Sequence, residues 1–228
     1  MTVLHLADEG EAADLAGFLS RLLHYDRSAA VRLQAAGTAL AVFGRPPSFD
    51  VLAVRAVRLA KPYENGIDVT LDVTVSAGEL LERVDEPAAT AGVPGAVTGP
   101  PWAGVLPPRG GWRPDPGLPA PDNLRALVAA AVAEFRARTA QLPPERRTRA
   151  ELDRIGREMW SRTVGDTALP VRAVHAAQSL GFLRPTGTSG ADDAPKLFSS
   201  GAWLRLRTPY GSVVLRRAGT GALGISVR

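Results

Sequence analysis

The chain has 228 residues, 45% hydrophobic and 22% charged, which excludes the disordered class and allows one large domain or two small ones. It has no cysteine, so disulfide frameworks, thiolate metal sites and cysteine nucleophiles are excluded. The formal net charge of +4 is unevenly divided: residues 1–86 carry 8 Lys/Arg against 13 Asp/Glu (net −5), and residues 87–228 carry 19 against 10 (net +9).

Only Lys61 and Lys196 are lysines, a skew that reflects GC-rich coding as much as selection for a basic surface. No apolar run reaches membrane-spanning length, and MTVLHLADEG lacks the basic and long apolar regions of a secretory leader. A cytoplasmic protein with no membrane partner is expected.

In chain order, Thr2–Ala7 reads as a short buried strand. Asp8 followed by Glu11 has the spacing of a capping box, and Leu15, Phe18, Leu19, Leu22 and Leu23 form the apolar stripe of a helix ending near Tyr25. Val31–Ala36 and Ala39–Phe43 flank Gly37-Thr38 and predict a hairpin. Val51–Ala60 predicts a strand on which Arg55 and Arg58 do not share a face. Lys61–Gly66 is a turn, and Ile67–Ser76 alternates with Asp68 and Asp72 on its wet face. Ala77–Val84 predicts a short helix. Residues 1–86 are therefore expected to be an α+β domain, an antiparallel sheet covered by a helix.

Residues 87–121 hold PGAVTGPPWAGVLPPRGGWRPDPGLPAP, an extended strap rich in proline and carrying Trp102 and Trp112. Residues 122–228 are expected to be a three-helix lobe with a β-hairpin. Asp122 is placed to cap the first helix and Thr148 with Glu151 the second; Gly165 closes the second, and Pro170 opens the third, which Gly181 ends. Arg184–Gly201 has loop composition. AWLRLR and SVVLRR around Thr208-Pro209-Tyr210-Gly211 predict the hairpin, with Gly211 in a left-handed position. The last stretch, AGTGALGISVR, reads as a weak strand or a tail.

Three constellations have a functional reading. Trp102 and Trp112 suit a docking surface for a protein partner, or simply pin the strap in the groove between the lobes. The helix–helix–hairpin order matches a winged helix in outline, which would turn Arg172, His175, Gln178 and Ser179 toward nucleic acid and set Arg205, Arg207, Arg216 and Arg217 on the phosphate backbone. His175 is accordingly expected to face solvent. Equally, these arginines suit a solvated face that covers apolar neighbours. Asp68 and Asp72 read as the wet side of a strand, and His5 and His24 as structural residues. No nucleophile elbow, phosphate loop, dinucleotide fingerprint or zinc-binding helix occurs, and no cofactor or metal is expected.

PPWAGVLPPRGGW, PPERRTRAELDRIGREMWSRTVGDTALPVRAVHAAQSLGFL and AWLRLRTPYGSVVLRR, spread over residues 95–217, resemble a group of actinobacterial proteins. These pair a proline and tryptophan linker with a helical C-terminal part. The resemblance implies no known activity and transfers no catalytic residue. The expectation is a non-enzymatic interaction protein that binds a protein partner through its lobes and strap. The alternatives are a DNA-binding protein using the basic lobe, and an enzyme of unfamiliar type with a site at the lobe junction.

Overall fold

The computed structural model describes residues 2–63, 70–185 and 194–217. Strand β1 (Val3–His5) leads to helix α1 (Glu9–Tyr25), whose N-cap Asp8 accepts from the Glu11 amide at 2.9 Å. The other half of the capping box is diverted, because the Glu11 carboxylate turns inward to Arg55 and Arg58. Strands β2 (Ala30–Ala36) and β3 (Ala39–Gly44) form the predicted hairpin. Gly37 at its turn has φ +56°, a conformation that needs no Cβ. Strand β4 (Leu52–Arg58), strand β5 (Thr70–Ser76) and helix α2 (Ala77–Glu82) follow as expected. The predicted Asn65-Gly66 turn and Asp68 lie outside the described residues.

Two short strands not anticipated from sequence, β6 (Val84–Asp85) and β7 (Thr90–Gly92), join β1 in a three-stranded sheet of order β1-β7-β6. After a single 3-10 turn at Pro101–Gly104, strand β8 (Arg113–Pro114) precedes helix α3 (Pro121–Ala140). Ala120, not Asp122, is the cap, and Pro121 opens the helix, where its missing N–H costs nothing. Helix α4 (Arg149–Trp160) starts on Thr148, which accepts from the Glu151 amide, and ends at Ser161, before Gly165. Helix α5 (Val171–Ser179) has Pro170 as its cap.

The predicted loop over Arg184–Gly201 contains a strand, β9 (Lys196–Ser200), which pairs with the hairpin of β10 (Trp203–Thr208) and β11 (Gly211–Arg216). Gly211 has φ +156°, positive but far from the expected left-handed turn value, and it is wanted for space as well. A Cβ there would stand 2.5 Å from the Phe182 ring, which stacks on Phe18 of α1 at 5.6 Å.

The hairpin is not a free wing. Among the described residues, all strands outside the small sheet form one antiparallel eight-stranded sheet, of order β5-β2-β3-β4-β11-β10-β9-β8. The seam between strands from either side of the strap is β4 with β11, where Leu52, Ala53 and Val54 face Val214, Val213 and Ser212. One face of the sheet packs on the helices in a single buried cluster that runs from Leu15 and Phe18 through Val42 and Ala53 to Val174, Leu204 and Val213. The expected pair of separately packed lobes is thus replaced by one core shared across the strap.

The opposite face has its own apolar cluster: Phe43, Leu52, Val54 and Val214, covered by Trp102, Leu106, Trp112 and Trp203. The strap lies across this face instead of in a groove between lobes. At one edge the Val97 amide donates to Thr74 O at 2.9 Å; at the other, β8 pairs with β9. Pro114 fits an edge strand because that position has no inner neighbour needing its N–H. Arg32 grips the strap by donating to Ala103 O while it holds Asp72 through two contacts of 2.7 and 2.8 Å. Asp72 is thereby committed to an ion pair that keeps its carboxyl below the usual range.

Beneath the seam lies a buried ionic knot. Arg55, 5% exposed, donates to Glu11 at 2.7 Å and to Tyr210 O at 3.0 Å, and lies 3.3 Å from Asp14. Asp14 also binds Arg184, whose guanidinium lies 3.6 Å over the Tyr210 ring. The knot joins α1 and β4 to the β10–β11 turn. Removing one partner of such a pair strands the other's charge, at a cost of about 3–5 kcal/mol. Arg55→Met is expected to destabilise the chain by about 3 kcal/mol in urea unfolding, with part recovered in Arg55→Met/Glu11→Gln. Equal stability of Arg55→Met and wild type would refute this account.

Candidate functional site

A cleft of about 890 Å³ opens where the C-terminus of α1 and the Pro46–Asp50 loop meet α3, α4 and α5. That volume is within the range of small-molecule sites. Five rings line it in an unbroken row. Tyr25 meets Phe49 edge-on at 5.3 Å, Phe49 meets His175 edge-on at 5.1 Å, His175 stacks on Trp160 at 4.8 Å, and Trp160 lies 5.9 Å from Phe135.

Each ring is placed by local rules. Tyr25 ends α1, and Phe49 is set inward by a tight loop in which Asp50 takes φ +50°, held by Arg45 at 2.8 Å. Asp tolerates that conformation better than most residues. Trp160 ends the apolar stripe of α4, one turn beyond Gly156. A Cβ at Gly156 would meet the indole at 3.4 Å, an ordinary contact, so this glycine, which weakens the helix by about 1 kcal/mol, packs directly against the ring without being required by it.

His175 does not face solvent as expected. It is half-buried between Trp160 and Phe49, and burial pushes its pKa below the ordinary value. No side chain or carbonyl among the described residues hydrogen-bonds its ring. Arg172, on the same face of α5, lines the cleft, and its Nε is shut off from solvent with no acceptor. Such an orphan donor costs about 1–3 kcal/mol. Gln178 is exposed and Ser179 half-buried on the outgoing turn of the helix.

The hairpin arginines stand elsewhere. Arg205, Arg207 and Arg216 share the strap face of the sheet, by the register that sets Trp203 opposite Arg216 and Arg207 opposite Ser212. Arg205 is half-buried near Trp112 and donates to Ser212, and burial lowers its pKa. Arg216 lies over Trp203, and Arg217 pairs with Asp115 at 3.2 Å. The sheet therefore separates this group from Arg172, His175 and Gln178. Trp102 and Trp112 are half-buried on the sheet, with the Trp112 indole N–H donating to Pro108 O at 3.0 Å. Among the described residues no group of three or more His, Asp or Glu side chains could hold a metal ion, and no helix is long and apolar enough to cross a membrane.

Sequence reasoning missed the cleft because its rings come from five separate stretches. The signal available was local: a tryptophan one helical turn after a helix-weakening glycine, facing a histidine on the next helix.

The buried histidine gives a signed pH effect. Its folded pKa is lowered, so the unfolded chain takes up the proton first as pH falls below about 6.5. Its contribution to stability is complete above that pH and is lost as the pH drops toward the folded value. The other charges at the cleft are Asp50, Asp153, Arg157 and Arg172, common to wild type and His175→Phe. The loss of stability between about pH 7.5 and 5.5, followed by denaturant unfolding, is expected to be smaller in His175→Phe than in wild type. Identical pH slopes would show that the ring protonates freely in place.

The chain matches two family descriptions, Domain of unknown function (DUF8010) over residues 1–104 and Domain of unknown function (DUF8185) over residues 107–220. No curated protein matches it. The two matches meet inside the strap, between the 3-10 turn and Trp112. With the second match spanning half of the chain, the protein belongs to the family described as Domain of unknown function (DUF8185).

Proposed function

We propose that this is a non-enzymatic binding protein, and that the row of rings in the cleft is where it holds a flat apolar or aromatic group of its ligand. The observation that carries the reading is the row itself: five rings in contact, on elements from both sides of the strap, around a cleft of ligand size. Binding is favoured over catalysis because His175, the only histidine lining the cleft, has ring neighbours instead of a carboxylate or hydroxyl to orient it. A protein partner docking on Trp102 and Trp112 has less in its favour, since both rings already cover Phe43, Leu52, Val54 and Val214. An actinobacterial source belongs to the same proposal, supported by the near-absence of lysine.

A neutral bicyclic probe, 2-naphthamide, tests the reading by ligand-observed NMR on the full chain. Saturable binding is expected, weakened about tenfold or more in Ser161→Tyr, which fills the mouth of the cleft. Binding that ignores this filling would place the site elsewhere.

The second reading is duplex DNA held on the strap face, supported by Arg205, Arg207 and Arg216 sharing one side of the hairpin. Under it, Arg207→Gln/Arg216→Gln would reduce the slope of log affinity against log salt by about 2. Absence of duplex binding by the wild-type chain at low salt removes this reading.

A further inference from the structure

The charged lining of the cleft is unbalanced. Asp50, Asp153, Arg157 and Arg172 stand at its wall. Both carboxylates have a cation: Arg45 lies 2.8 Å from Asp50, and Arg149 lies 3.8 Å from Asp153. The side chains of Arg157 and Arg172 have no acid or other hydrogen-bond partner among the described residues.

That idleness is unusual here. On the neighbouring surface of α3 and α4, Arg138, Arg154 and Arg162 each reach two of Glu134, Glu151 and Glu158. Arg157 lies on the same helix α4 and takes none of them. Arg172 goes further, with its Nε enclosed and unaccepted beside the ring row. A guanidinium is a planar fork of donors, matched in shape to a carboxylate or phosphate.

We propose that the cleft takes a ligand in which a flat ring is joined to a carboxylate or phosphate. The ring lies against the Trp160–His175 stack, and the anion is held by Arg172 with Arg157 at the mouth. This deepens the binding reading above and rests on it. Burial lowers the pKa of His175, so the positive charge of the cleft rests on the two guanidinium groups. The ledge thus supplies stacking, and the two guanidinium groups supply the sign.

The test titrates two matched pairs of probes into the full chain: 2-naphthoate with 2-naphthamide, and adenosine 5′-monophosphate with adenosine. The anionic member of at least one pair is expected to bind about tenfold or more tighter than its neutral twin, and the pair that responds tells carboxylate from phosphate. Arg172→Gln should erase that preference. Arg157→Gln, at an exposed position, should erase it in part even where Arg172→Gln weakens the fold. Arg136→Gln, exposed on α3 outside the cleft, should keep it. Equal affinity within both pairs overturns the anion inference while the ring-binding reading stands. Failure of all four probes overturns both. A preference that survives Arg157→Gln/Arg172→Gln shows that the anion is held elsewhere.

Discussion

The structure depends on a short seam, the pairing of β4 with β11. Without it, the sheet built by residues 30–76 would end on the bare edge of β4, and the C-terminal hairpin on the bare edge of β11. An open edge of unpaired N–H and C=O groups is a liability that folded chains must cover. Here each half covers the other's. The seam is also where burial is deepest on both faces. Ala53 and Val57 pack toward the helices, while Leu52 and Val54 pack toward the strap, so β4 has no wet side along most of its length. Arg55 sits in the middle of this dry strand, tolerated only because Glu11, Asp14 and Tyr210 O receive it.

The strap follows from the same constraint. A sheet assembled from two halves has two apolar faces; α1 and α5, with α3 packed on α5, cover one, and the chain between the halves covers the other. Proline suits that duty. It keeps the backbone extended over the width of the sheet and prevents a helix from forming there. The indoles of Trp102 and Trp112 supply the missing apolar area, about 2 kcal/mol each for a half-buried large ring. The proline and tryptophan content that suggests a recognition motif is equally what a one-layer lid requires.

What was legible in the sequence was local. The Asp8 and Thr148 caps, the Gly37 turn, the alternation through Thr70–Ser76 and the stripe of α5 all rest on contacts within a few residues, and the structure has them. What was not legible was who pairs with whom. Nothing in VLAVRAVRLA says that its neighbour is SVVLRR about 160 residues later, and β9 reads as loop because Lys196–Ser200 is a strand only by leaning on β10. Arg55 and Arg58 put a charge on each face of the predicted strand, yet Arg55 is its buried centre. His175 looked solvent-facing because the periodicity of α5 shows its dry stripe but not that α4 packs beside it. The candidate site suffers most from this limit: the rings at 25 and 49 meet those at 135, 160 and 175 across the strap, through the contact of Phe49 with His175.

The cleft is therefore a product of assembly. Phe49 hangs from the loop that feeds β4, and Trp160, His175 and Phe135 belong to helices carried by the other side of the strap. A group held between them touches both halves and can meet that constellation only when β4 and β11 are paired. Any ligand of the cleft then favours the paired state by mass action, by about 2.7 kcal/mol at a hundred times its dissociation constant. Knot and cleft act in the same direction from opposite ends of α1: Glu11 and Asp14 tie its first turns to the seam, and Tyr25 at its last residue begins the ring row. Occupancy at one end and ionic pairing at the other thus oppose the same opening of the sheet.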